Sequence, residues 1–178
     1  MKLFLKLCII GCLLGTTAFS QEMLNSDGKG NTYGFGLGIP YGVLGANMDY
    51  SIAQNLYLSA GIGSTVLDGV GYNIGAKYFF RPATETFRPR VSAFYGINSI
   101  LELDYSAVGG ENETKTYTGL SIGVGAQWMW GPNKSQGLDI DIIYFATQGW
   151  DLKELENQGF QFDEPADIGI SIGYRRAF

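Results

Sequence analysis

Residues Thr118–Trp130 read TGLSIGVGAQWMW, and they alternate between two kinds of side chain. One alternate set is bulky and apolar, including Leu120, Val124, Trp128 and Trp130, whereas the other set is small and contains three glycines. A period of two residues indicates a β-strand. A half-buried strand of a soluble protein turns its apolar set inward and its polar set to water. The set that lines the interior therefore decides what class of protein this is.

The same period recurs along the chain between segments rich in turn-forming residues. It predicts eight strands, at Tyr33–Ile39, Leu44–Ile52, Leu56–Ser64, Val70–Phe80, Arg88–Glu102, Lys115–Trp130, Leu138–Ala146 and Asp167–Phe178. No long helical period competes with this pattern, so we predict an all-β fold. In every strand the bulky set is free of charge, and the opposite set is mostly small, polar or charged. The large residues that interrupt the opposite set are Tyr57, Phe79, Phe94, Met129 and Phe145.

Alternation alone does not separate a soluble barrel or sandwich from a membrane barrel, since water could solvate the polar set. The strand number is even, and two connections, Leu103–Thr114 and Thr147–Ala166, are long, as in barrels with tight turns at one end and exposed loops at the other. Two further connections on the long side, at Pro40–Gly42 and Thr65–Gly69, are short, which weakens that pattern.

Aromatic residues gather where the strands approach the short-turn side. Such clustering is typical of a membrane interface, because aromatic rings favour the headgroup level. The predicted interface aromatics are Tyr50, Tyr78, Phe80, Trp128, Trp130, Tyr174 and Phe178. Together these features favour an eight-stranded antiparallel up-and-down transmembrane β-barrel over a soluble, lipocalin-like alternative.

The first twenty residues have the pattern of a cleavable secretory signal. Lys2 and Lys6 precede an apolar run at residues 7–14, and Ala18 and Ser20 supply small residues before the expected cleavage point. We therefore divide the chain into a signal peptide (1–20), a short N-terminal periplasmic segment (21–32) and the barrel (33–178). A lipoprotein-like cleavage box at Cys12 is the weaker alternative.

Composition excludes several functions for the exported part of the chain. Without the two signal lysines, ten basic residues face 17 acidic ones, a net charge of −7, so a nucleic-acid partner is not expected. Both cysteines lie in the signal, and the chain has no histidine, the commonest general base and metal ligand. We therefore expect no enzymatic activity, no cofactor and no metal site.

The final strand, Gly169–Phe178, reads GISIGYRRAF and ends on an aromatic residue. It resembles the terminal strand of Gram-negative outer-membrane β-barrels, and the whole pattern is similar to the small eight-stranded OmpX-like and opacity-protein group. The resemblance implies an outer-membrane location, contact with membrane lipid and lipopolysaccharide, and recognition by the barrel-assembly machinery through the strand ending at Phe178. Arg176 departs from the pattern, because the family usually has an apolar or aromatic residue there.

Seven charged residues belong to the inward set. If neighbouring strands alternate in direction, all seven fall in the periplasmic half of the lumen, and they are Asp49, Lys77, Arg88, Arg90, Asp139, Asp141 and Arg175. We expect an ion-pair network that fills the barrel, since charges inside membrane proteins tend to pair. A selectivity constriction or an acid–base site is the alternative, but nearby arginines would keep both aspartates of the Asp139–Asp141 pair ionised.

The long connections are acidic, and Trp150–Gly159 has the spacing of a short helix. We predict a structural or adhesive barrel that presents these loops. The loops would form a solvated acidic surface, or they would contact host molecules, matrix or divalent cations. The extracellular ligand is not identified by the sequence. A narrow pore or hydrophobic-molecule conduit like the OmpW group is the alternative, and a PorT-like accessory role in secretion is a third.

Overall fold

The computed structural model describes residues 30–65, 69–103, 113–146 and 167–178. These residues form eight strands: β1 (Thr32–Gly38), β2 (Val43–Ser51), β3 (Leu56–Ser64), β4 (Val70–Phe79), β5 (Phe87–Leu103), β6 (Glu113–Trp130), β7 (Gln136–Phe145) and β8 (Ile168–Ala177). Each predicted strand end lies within two residues of the observed one. The predicted helix at Trp150–Gly159 and the signal peptide lie outside the described residues.

The strands pair antiparallel in chain order and close on themselves. β1 pairs with β8, for example through Phe35 opposite Tyr174 and Leu37 opposite Ile172. Closure leaves neither strand with an unpaired edge, so the backbone donors and acceptors of both are used in the ladder. The prediction of an eight-stranded antiparallel up-and-down barrel is confirmed.

Two ends of the barrel can be distinguished by their connections. The proximal end, as we name it, carries the connections at residues 52–55, 80–86 and 131–135. The distal end carries the connections at residues 39–42, 65–69, 104–112 and 146–167. In the described parts of these connections there are two 3₁₀ turns, Ile39–Tyr41 at the distal end and Pro132–Lys134 at the proximal end.

The two faces of the sheet differ as the period of two requires. Outward positions are apolar and exposed, reaching 74 % exposure at Ile170 and 67 % at Val70. Inward positions are buried and carry mostly polar, charged or glycine residues, such as Asn47 and Asn73, together with a few large apolar ones, such as Phe94 and Ile143. The bulky set of Thr118–Trp130 thus points away from the barrel, and its small set lines the lumen.

Candidate functional site

Six of the seven inward charges form one continuous network in the proximal half of the lumen. The order of contacts is Lys77–Asp49–Arg175–Asp139–Arg90–Asp141. The nitrogen-to-oxygen distances are 2.9 Å for Lys77–Asp49, 2.7 Å for Asp49–Arg175, 2.7 Å for Arg175–Asp139 and 3.0 Å for Arg90–Asp139. All six side chains are buried, and three positive groups face three negative ones.

Each carboxylate in the network accepts hydrogen bonds at both of its oxygens. Ser59 donates to Oδ1 of Asp49 at 2.7 Å, and Arg90 Nε donates to Oδ1 of Asp141 at 2.9 Å. Arg175 adds a bond from Nη2 to the side-chain oxygen of Asn47 at 2.6 Å. Every carboxylate oxygen of the network thus has a donor, which offsets part of the desolvation of the buried charges, whereas Arg90 Nη1 has no partner among the described residues.

The register explains how Arg90 reaches its partners across an intervening strand. Arg90 on β5 lies opposite Gly125 on β6, and Gly125 lies opposite Asp141 on β7. A Cβ atom at Gly125 would collide with Oδ1 of Asp141 and with the carbonyl of Ile140. The absence of a side chain at Gly125 therefore lets the guanidinium span β6 and meet the carboxylate.

Arg88 lies outside the network, although it points to the same side of β5 as Arg90. It faces Gln127 on β6, whose side-chain oxygen accepts a bond from Nη1 at 2.9 Å. Nη2 donates to the hydroxyl of Tyr57 at 3.1 Å, and the guanidinium carbon lies 3.9 Å from the ring centre of Phe79. The structure thus surrounds this seventh charge with neutral acceptors and an aromatic face at the proximal mouth.

The connection between β1 and β2 folds into the barrel, which the sequence analysis missed. We name Ile39–Tyr41 the plug turn, because all three residues are buried in the lumen. Ile39 packs against Phe94 and Ile143, and the Pro40 carbonyl accepts a bond from the Asn47 amide at 2.8 Å. The plug turn thus occupies the lumen on the distal side of the charge network.

Tyr41 joins the plug turn to the charge network. Its hydroxyl donates to Oδ1 of Asp139 at 2.5 Å, and its ring lies 5.6 Å from the guanidinium carbon of Arg175. An ionised carboxylate can only accept, so the Tyr41 hydroxyl is the donor in this bond. Asp139 therefore accepts bonds from Arg90, Arg175 and Tyr41 together.

Six inward glycines make the space that the plug turn occupies. A Cβ atom added at any of them would collide with the plug turn or with the adjacent Gly42, and they are Gly36, Gly45, Gly61, Gly63, Gly71 and Gly173. The sequence analysis noted inward glycines in these strands only as part of a small face. An excess of inward glycine on strands flanking a proline-containing connection is the signal that could have indicated an inserted segment.

The backbone that returns from the plug turn into β2 is strained. Gly42 has φ of +64°, which glycine adopts freely, but Val43 has φ of +81°. A β-branched residue rarely adopts positive φ, and such a conformation costs roughly 1–3 kcal/mol where it occurs. The contacts of the plug turn must offset this strain for the inserted conformation to persist.

The predicted interface aromatics lie near the proximal end. Six of them point outward with between 40 and 59 % of their surface exposed: Tyr50, Tyr78, Phe80, Trp128, Trp130 and Tyr174. Phe178 is half-buried, with its ring centre 5.9 Å from that of Tyr33. Phe87, which was not in the predicted set, packs on Trp128 at 5.3 Å between ring centres.

Metal sites and membrane-spanning helices are two further features to consider among the described residues. No group of three or more histidine, cysteine, aspartate or glutamate side chains that could hold a metal occurs among them. No helix in the described ranges is long and apolar enough to cross a membrane. The expectation that the protein uses no cofactor stays a prediction.

Comparison with known proteins supports the fold. The crystal structure of the N-terminal β-barrel domain of Pseudomonas aeruginosa OprF is similar, with a TM-score of 0.56 and 16 % sequence identity. The likeness covers 85 % of this chain and 98 % of that chain. No protein-family model matches the sequence, and no curated protein matches it either. At this identity the likeness shows a shared barrel fold, and the resemblance to the OmpX-like group stays a prediction.

Proposed function

We propose that the chain is an integral outer-membrane β-barrel protein of a Gram-negative bacterium. The observation that carries the proposal is the inverted distribution of polarity: large apolar side chains cover the outside of the barrel, and charged side chains are buried inside it. Contiguous apolar surface of this extent is rare on soluble monomers and is typical of a surface covered by lipid.

The height of the apolar surface matches a membrane. On and just beyond β4, outward apolar side chains extend from Val70 to Phe80, ten residue steps apart. A rise of about 3.3 Å per residue and a tilt of about 40° give a height of about 25 Å, as in outer-membrane barrels. The aromatic residues at the proximal end then lie at one interface. We assign that end to the periplasm because its three connections are short, whereas the distal end carries the long connections at residues 104–112 and 146–167.

The role we propose is structural or adhesive, and it does not include catalysis. The network and the plug turn occupy the lumen at two levels, which opposes passage through it. The acidic loops, most of whose residues lie outside the described ranges, would then provide contacts at the cell surface, including lipopolysaccharide. The strand that ends at Phe178 would be read by the barrel-assembly machinery.

A depth-dependent arginine scan tests the membrane placement. Val124 lies midway along the outward apolar run of β6 and is 62 % exposed, whereas Ile168 lies outward at the distal start of β8. In a lipid bilayer we expect Val124→Arg to lower the free energy of unfolding by about 2–4 kcal/mol and Ile168→Arg by about 0–1 kcal/mol. Urea unfolding in phospholipid vesicles measures both.

A soluble barrel would give a different result in the same experiment. Both substituted side chains would then point into water, and neither arginine would destabilise the protein appreciably. Equal, small effects of Val124→Arg and Ile168→Arg, together with extraction from cells without detergent, would reject the membrane placement.

A narrow pore is the second candidate, and buried polar atoms in the lumen favour it. Arg90 Nη1, Ser92 Oγ and Ser121 Oγ are buried without a hydrogen-bond partner in the described part of the chain. Buried polar atoms of this kind are usually satisfied by ordered water, and a hydrated lumen is a requirement for conduction.

Planar bilayers separate the two candidates. We expect the purified protein to give no reproducible single-channel steps, because the network and plug turn occupy the lumen. Reproducible steps that change in size or disappear in Arg90→Gln would show that ions pass this level of the barrel, and would favour the pore. Steps that are identical in wild type and Arg90→Gln would indicate contaminating channels, for which a preparation of boiled protein is the control.

A further inference from the structure

Arg176 places a charged side chain on the outward face of β8. It follows Tyr174 by two residues on the same face, and both are exposed. Within the described residues, the Arg176 side chain has no hydrogen-bond or ion-pair partner. A guanidinium at the edge of an apolar surface is stabilised by an anion, and no described residue supplies one, so Arg176 is available to an external anion.

The register sets Arg176 in a row of groups that can bind a phosphate. Gln136 on β7 lies opposite Arg176, and Trp130 on β6 lies opposite Gln136. Tyr33 on β1 lies opposite Arg176 from the other side. Adjacent strands are about 4.8 Å apart, so the row Trp130–Gln136–Arg176–Tyr33 spans roughly 14 Å. Because the strands are tilted, the row runs obliquely, from Trp130 at the proximal rim toward the apolar surface at Tyr33.

The neighbouring contacts fix the chemistry of this row. The hydroxyl of Tyr174 donates to Oε1 of Gln136 at 3.1 Å, which occupies the amide oxygen and leaves the amide nitrogen as a donor. Arginine presents a planar fork that matches a phosphate, and the indole nitrogen of Trp130 is a donor only. The row therefore combines three donor groups with aromatic surface.

We propose that the row Trp130–Gln136–Arg176–Tyr33 binds the headgroup of an anionic phospholipid in the periplasmic leaflet. The inference rests on the proposed membrane placement and adds a ligand class to it. A lipid fits the row better than a free anion, because the face below Arg176 continues as Tyr174 and Ile172, which are apolar, outward and exposed. A ligand that carries both phosphate and hydrocarbon covers both parts of this surface.

The charges at the proximal end also favour a negatively charged ligand. Lys134 lies in the adjacent connection and donates to the carbonyl of Thr84, so its ammonium is directed away from the row. The lumen network is neutral, since it balances three positive with three negative groups. Among the other described side chains at the proximal end, Arg81, Arg88, Lys134 and Arg176 are positive and Glu85 is negative. An anionic headgroup is thus favoured over a zwitterionic one at this rim.

The test is lipid retention in nanodiscs made of equal amounts of phosphatidylglycerol and phosphatidylcholine. Native mass spectrometry of the full protein released from the discs counts the lipids that stay bound. We expect wild type to retain phosphatidylglycerol about fivefold over phosphatidylcholine, the effect of one well-placed arginine at a membrane surface. Arg176→Gln should bring this ratio close to one.

Arg81→Gln is the matched control, since Arg81 is an exposed arginine in the connection at residues 80–86 of the same end. It removes the same charge outside the row, so the ratio should stay near the wild-type value. A ratio that falls equally in both variants, or that is already one in wild type, overturns the headgroup site and leaves the membrane barrel standing. Displacement of the lipid by inorganic phosphate overturns the assignment to a lipid, and failure of wild type to insert into the discs contradicts the membrane placement itself.

Discussion

Replacing Asp139 by asparagine is expected to lower the free energy of unfolding by about 3–5 kcal/mol, the usual effect of removing one partner from a buried ion pair. Asp139 accepts bonds from Arg90 Nη2 at 3.0 Å, from Arg175 Nε at 2.7 Å and from the Tyr41 hydroxyl. The amide would leave an excess positive charge inside the barrel, and its single oxygen could face either the two arginines or Tyr41, but not both. Urea unfolding in detergent micelles, followed by tryptophan fluorescence and extrapolated linearly to water, measures the change.

Glu85→Gln makes the same chemical change in the exposed connection between β4 and β5, and we expect no measurable effect there. A double-mutant cycle with Arg175→Gln separates the ion pair from general packing. If the contact is as close as the structure has it, the double variant loses less stability than the two single variants together, by at least about 1 kcal/mol. Additive losses, or a loss in Asp139→Asn no larger than in Glu85→Gln, would contradict the network.

The strand pattern was predictable from the sequence because a barrel wall imposes one rule on every strand. In β6, Val124 points outward and Gly125 points inward for the same reason that Ile170 and Ser171 do in β8. A period of two repeated over eight segments leaves little freedom in where strands begin and end. The strand bounds and the outward set therefore follow from local sequence, without knowledge of the register.

The partners inside the lumen depend on register, which the local pattern does not contain. Arg88 and Arg90 both point into the lumen from β5. Arg90 lies opposite Gly125 and reaches Asp141, whereas Arg88 lies opposite Gln127 and binds it. One residue type on the neighbouring strand thus decides which arginine joins the network. That outcome requires the pairing of three strands at once, so the sequence could indicate only the level at which the charges gather.

The plug turn was not predicted because connection length does not show which way a connection points. Pro40 sits in a connection of four residues between β1 and β2, and a turn of that length can extend outward or fold inward. The inward fold depends on glycines that come from β1, β2, β3, β4 and β8, including Gly61 and Gly173. These residues are far apart in the sequence, and only the closed barrel brings them around Tyr41.

Tyr41 provides the sharpest test of the inserted turn, through two substitutions that remove different parts of the side chain. Tyr41→Phe removes only the hydroxyl that donates to Asp139, and we expect a loss of about 1.5–3 kcal/mol, as for hydrogen bonds to charged groups. Tyr41→Ala also removes the ring, which is fully buried against Gly36 and Gly173, and we expect a loss of about 3–5 kcal/mol.

Tyr95→Phe is the control for the hydroxyl, because Tyr95 points outward from β5 with 55 % of its surface exposed. Its loss should be within the error of the unfolding measurement. The difference between Tyr41→Ala and Tyr41→Phe reports the packing of the ring, because both variants lack the hydroxyl. A difference close to zero would mean that the ring does not occupy the lumen. The glycines around Tyr41 would then have no side chain to accommodate, and no contact would offset the strain at Val43. A difference of about 2 kcal/mol or more, on the scale of cavities left by buried aromatic rings, requires the turn to be inside the barrel.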